Sequence, residues 1–191
     1  SPMKKIGFLS FGHWTPSPQS QTRSASDALL QSIDLAVAAE ELGADGAYFR
    51  VHHFARQLAS PFPLLAAAGA KTSRIEIGTA VIDMRYENPL YMAEDAGSAD
   101  LIAGGRLQLG ISRGSPEQVI DGYRYFGYTP PEGQTDADMA RKHAEVFLQR
   151  GGRRNRHTLH VVDQLDADVL RRTVHAEAQT TMRGRLDLVP D

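Results

Sequence analysis

Two adjacent histidines, His52-His53, close the strand-like run Ala47-Tyr48-Phe49-Arg50-Val51. Histidine titrates near neutrality, so one of the pair facing a pocket suits general acid or base work. Neighbouring side chains on an extended segment point to opposite sides, which makes the pair a poor chelate. The chain has no cysteine, and no third ligand stands at a metal-binding spacing, so a metal site is not expected. A structural role for both histidines fits the same spacing. Arg113 follows a second apolar run, Leu107–Ser112, and precedes Gly114. A guanidinium fixed beside backbone donors suits a phosphate or carboxylate; a surface arginine in a loop has the same local sequence. Ala80-Val81 lies near the end of the run Ile75–Ile82 and carries no chemistry of its own. Small and β-branched residues there let a flat ring approach the backbone, and ordinary strand packing accounts for them too.

These residues need elements to hold them. Asn88-Pro89 starts a helix that runs through Ile102, with Leu90, Ala93, Ala96, Gly97 and Leu101 at the spacing of one buried face. Gly104-Gly105 stops it. Strand, crossover helix and strand make a parallel βαβ unit, whose chemistry belongs at the carboxyl ends of the strands. Ala80-Val81 and Ser112-Arg113 lie at those ends. Upstream, Lys5–Phe11 reads as a strand and Gly12–Gln21 as a loop. Ser26-Asp27 then caps a helix with Leu29, Leu30, Ile33, Val37 and Leu42 as its inner stripe. Pro61 opens an alanine-rich helix through Ala70, and Asp136–Gln149 is helical again. Asp83, Arg85 and Glu87 read as a solvated loop. Ser115–Gln134 is too long for an ordinary connection and has the character of an active-site lid or a disordered segment. Its Tyr123, Tyr125, Phe126 and Tyr128 either line an apolar pocket or anchor the loop. Four strand-plus-helix units by residue 150 fit half of a (β/α)₈ barrel or a small doubly wound sheet. No glycine-rich fingerprint follows the first strand, which disfavours the dinucleotide-binding sheet.

The 191 residues are 41% hydrophobic, enough for one domain with a real core. A net charge of -2 and a pI near 6.4 give no reason to expect nucleic acid or an acidic membrane surface. The apolar run Ile6–Phe11 is too short for a signal peptide or a membrane span, so a cytoplasmic protein is expected. From residue 150 the composition shifts: eight arginines, no lysine, and no Phe, Tyr, Trp or Ile. Asp163–Gln179 has a thin apolar stripe compatible with a helix, but no strand of the earlier kind is evident. Two readings of this tail stand side by side: an out-of-frame continuation, or a genuine, weakly packed extension.

Four segments together carry a resemblance. Tyr48–Phe54, Gly78–Ile82, Asn88–Asp95 and Gly105–Gly114, in that order and spacing, resemble the bacterial luciferase-like flavin-dependent monooxygenases over about residues 3–149. The resemblance implies a TIM barrel, here about four βα units of it followed by an atypical tail at 150–191. It implies reduced FMN supplied by a separate flavin reductase, or F420 in some branches, and oxygenation of a small organic substrate with O₂. His52 matches the family's catalytic histidine. Ala80-Val81 matches the strand-end pair that meets the flavin ring, often through a non-proline cis peptide. Arg113, beside Ser112, matches the arginine that holds the flavin phosphate. Val51 stands where the family usually has an acid. An open half-barrel exposes sheet edges and apolar faces, so a homodimer is expected, or else aggregation or instability. A catalytically silent fragment or flavin-binding protein of the same fold is the alternative.

Overall fold

The computed structural model describes residues 3–114, 117–151 and 160–163. In chain order they form β1 (Gly7–Ser10), α1 (Ala25–Glu41), β2 (Gly46–Phe49), α2 (Pro61–Lys71), β3 (Glu76–Asp83), α3 (Pro89–Ile102) and β4 (Leu107–Ser112). A short 3₁₀ turn at Gly122–Phe126, α4 (Asp136–Val146), a wider helical turn at Phe147–Gly151 and β5 (His160–Asp163) follow. Every strand pair is parallel, and the strands lie side by side in sequence order. Sequential parallel strands linked by crossover helices are the arrangement of a TIM-type (β/α)₈ barrel. Ala47, Phe49, Ile77, Leu107 and Leu109 build the main core with the helices. On the opposite strand faces, Leu9, Tyr48, Gly78 and Gln108 lie in one row. No helix among the described residues is long and apolar enough to cross a membrane.

The strands fall where the apolar runs predict, but helix α1 turns a different face inward and α3 buries only the small residues of its expected stripe. Helix α1 buries Ala28, Ser32, Ala36 and Ala39, whereas Leu29, Leu30 and Leu42 of the expected stripe are exposed. Helix α3 buries Met92, Ala93, Ala96 and Gly97 and leaves Leu90 and Leu101 outside. Small side chains let a helix axis approach its neighbours closely, so the narrow alanine-glycine stripe wins over the larger leucines. The cap of α1 is Ser24 rather than Ser26, through a reciprocal capping box with Asp27. Asn88 caps α3 as expected, accepting from the amides of Leu90 and Tyr91 at 3.0 Å each.

The tail also departs from expectation. His160–Asp163 adds a fifth parallel strand beside β4, with Gln108 opposite His160 and Ile111 opposite Asp163. Beyond Asp163 the expected helix through Gln179 lies outside the described residues.

Candidate functional site

The strand ends converge on one cleft. Arg50, Val51, His52 and His53 after β2, Val81 and Asp83 of β3, Tyr86, Ser112 of β4, and Glu117-Gln118 line it. It has an empty volume of about 400 Å³, including space open to solvent. Three of the five residues singled out by sequence, His52, Val81 and Ser112, therefore share this cleft. Ala80 adjoins Val81 through a cis peptide bond, the geometry implied by the resemblance. Arg113 follows Ser112 at the rim; it is exposed and outside the lining.

A register shift builds the floor. Thr79 pairs with Leu109 and Ile82 with Ile111, so β3 spends Ala80 and Val81 where β4 has only Gly110. Such a bulge re-aims side chains and leaves ladder groups without partners. Here Thr79 supplies them: its hydroxyl accepts from the Gly110 amide at 3.1 Å and donates to the Gly110 carbonyl at 3.0 Å. Gly110 also leaves room, because a Cβ there would stand 2.6 Å from the Thr79 carbonyl oxygen and 2.9 Å from Val81.

The two histidines occupy different surroundings. His52 shares a 2.6 Å hydrogen bond through Nδ1 with Gln57 Oε1 and lies 6.4 Å, ring to ring, from Phe11. His53 is stacked on Tyr86 at 4.3 Å and meets Phe126 at 4.9 Å. Burial, with a smaller contribution from the neighbouring His52, pushes its pKa down to about 4, so it is neutral at pH 7. Its Nε2 is buried without a hydrogen-bond partner among the described residues.

This environment gives a sign to the pH dependence. Unfolded histidine takes up its proton near pH 6.5 and folded His53 only near 4, so the unfolded state binds more protons between them. Stability from this group is complete above pH 6.5 and is lost as pH falls toward 4, by about 2 kcal/mol once solvent screening is allowed for. Glu87 slopes the other way: burial, then the charges of Asp95 and Asp83, push it up to about 7. The wild-type curve therefore mixes the two. Urea unfolding at pH 7.5 and 4.5 is expected to lose about 2 kcal/mol more on acidification in the wild type than in His53→Phe. An equal loss in both proteins removes His53 from the account.

The Asp83–Arg85 segment is not the solvated loop that its composition suggests. Arg85 is only 6% exposed. It is ion-paired with Asp83 at 2.7 Å, Asp136 at 2.8 Å and Glu117 at 3.3 Å. Of the aromatic residues in the insertion, Tyr123 is buried with Tyr86 and Met139, and Phe126 covers His53. Tyr125 is 79% exposed, and the lining of the cleft includes none of these four aromatic residues, so it is Tyr123 that anchors the segment. Nothing local marks Arg85 as a hub, because Glu117 and Asp136 reach it from far along the chain.

A sequentially ordered parallel sheet, with its cleft at the carboxyl ends of the strands, defines a barrel-type α/β protein whose site lies at the strand ends. The chain belongs to the luciferase-like monooxygenase family, whose model matches residues 9–149. Among curated relatives, 4-hydroxyprotoasukamycin monooxygenase of Streptomyces nodosus subsp. asukaensis is 30% identical over 120 residues, 62% of this chain and 30% of the relative. The oxygenating constituent of 3,6-diketocamphane monooxygenase from Pseudomonas putida, solved with FMN, superposes with a TM-score of 0.66 at 22% identity. That match covers 81% of this chain and 41% of the other. The coenzyme F420-dependent tetrahydromethanopterin reductase of Methanopyrus kandleri has a TM-score of 0.51 at 22% identity, over 76% of this chain and 39% of the other. The chain thus spans less than half the length of these relatives.

Proposed function

We propose that the cleft binds a reduced flavin and that the chain belongs to a monooxygenase that oxygenates a small organic substrate with O₂. The observation that carries this reading is the bulge. Thr79 braces Ala80 and Val81, which present small and β-branched side chains beside His52 and Ser112, a surface suited to a flat ring. His53 lines the same cleft, and its buried Nε2 has no hydrogen-bond partner among the described residues. FMN, or F420 in the manner of the methanogen reductase, fits this surface, and a separate flavin reductase would deliver it reduced. The cofactor supplies the electrons that activate O₂.

The chain's own part is positional and electrostatic. Val81 and Ala80 support the ring, and the Tyr86, His53 and Phe126 stack keeps water off one side. Arg113 reaches the phosphate from the rim. His52, hydrogen-bonded through Nδ1 to Gln57, is the group that would hold or move a proton at the reacting centre. Titration of the full chain with FMN and with F420, followed by cofactor fluorescence, tests the reading. Saturable one-to-one binding of either is expected; binding of neither overturns it. A second reading, a flavin-binding protein without turnover, follows from the share of its relatives that the chain spans. It predicts the same titration but no substrate oxidation when a flavin reductase, NADH and O₂ are supplied.

A further inference from the structure

We propose that Arg85 is a positioning residue, which fixes the Glu117–Phe126 segment as the wall over His53 and thereby sets the cleft in which cofactor and substrate meet. This rests on the functional reading above, and it assigns a role to a side chain that never touches the reacting atoms.

The geometry converges on one guanidinium. Nε and Nη2 of Arg85 hold both carboxylate oxygens of Asp83, at 3.0 Å and 2.7 Å, which ties it to the end of β3. Nη1 takes Asp136 in the first turn of α4 at 2.8 Å and Glu117 at 3.3 Å. The guanidinium lies 5.6 Å from the ring centre of Tyr123. Gly114, at φ +113°, runs directly against Arg85 and Asp83, where any Cβ would collide with both side chains. One buried cation therefore joins the end of β3, the turn after β4, the insertion and α4.

Glu117 passes that order onward. Its Oε1 accepts from the Tyr86 hydroxyl at 3.1 Å, and its Oε2 accepts from the Asp121 amide at 3.0 Å. Asp121 in turn accepts from the Tyr123 hydroxyl at 3.0 Å. Tyr86 is the ring on which His53 stacks, with Phe126 completing the enclosure at 5.1 Å from Tyr86. Three carboxylates on one guanidinium leave excess negative charge. Removing the cation exposes Asp83, Glu117 and Asp136 to mutual repulsion, which loosens the hold of Glu117 on the insertion. Lysine carries the charge without the planar fork, so it can serve some of these partners but not all.

The test uses the full chain as wild type, Arg85→Met, Arg85→Lys and Glu117→Gln, with two readouts. Hydrogen exchange followed by mass spectrometry reports the 117–128 amides against those of β2 and β3. Fluorescence titration reports FMN affinity. In Arg85→Met, exchange in 117–128 is expected to quicken roughly tenfold or more while β2 and β3 keep their protection, and FMN affinity to fall by about tenfold. Arg85→Lys falls between. Unchanged exchange in 117–128 overturns the proposal, and so does faster exchange with unaltered FMN affinity. If Arg85→Met does not fold, Glu117→Gln retains the Asp83–Arg85–Asp136 pairs and is read by the same criteria. Faster exchange with no FMN or F420 bound even by wild type refutes the functional reading separately, leaving only the hold of Arg85 on the segment.

Discussion

Replacing Thr79 by valine, which is nearly isosteric, is expected to cost about 2–4 kcal/mol, because two buried backbone groups of Gly110 lose their partner at once. Thr79 is 2% exposed, and the register shift beside it removes the ordinary ladder bonds that would compensate. For a chain of 191 residues this lowers the melting temperature by roughly 5–15 °C. Thr79→Ser keeps the hydroxyl and is expected to lose about 1 kcal/mol, mainly from the missing methyl. The pair separates hydrogen bonding from packing. Thermal melts within 2 °C of wild type for Thr79→Val, a cost of about 1 kcal/mol or less, would show that the bulge is held by something else. Flavin affinity should fall in parallel, since Thr79 braces the Ala80–Val81 floor.

Arg113→Ala should discriminate between FMN and riboflavin. A charge-assisted hydrogen bond to phosphate is worth about 1.5–3 kcal/mol, so FMN affinity is expected to fall roughly 10- to 150-fold. Riboflavin lacks the phosphate and should bind both proteins alike. The exposed position of Arg113 at the rim suits that role, since the ring can enter the cleft while the phosphate stays outside. Equal losses for both ligands would mean that Arg113 supports the fold rather than the phosphate; no loss for either would remove it from the site.

The strands and their parallel order were legible because buried parallel strands are written as short apolar runs between glycine- and proline-rich breaks. The helix faces were legible only in part, with Ala93, Ala96 and Gly97 of α3 buried as expected. Leucine draws attention in α1 and α3, yet alanine and glycine face the neighbouring elements, since close approach is what the layer requires. His52, Val81 and Ser112 could be placed at one cleft from their positions at strand ends. The Arg85 network could not, because Asp83-Met84-Arg85-Tyr86-Glu87 has the composition of a solvated loop and two of its carboxylate partners are distant in sequence. Thr79 was hidden for a related reason: in sequence it is one more β-branched strand residue. Only the missing residue opposite Ala80 and Val81 turns its hydroxyl into a brace.

The most direct measurement is a crystal structure of the full chain with FMN. The ring is predicted to lie against Ala80 and Val81, between His52 and Ser112, with its phosphate at Arg113. A ring bound anywhere else, or a cleft that stays empty at saturating FMN, would contradict the proposal.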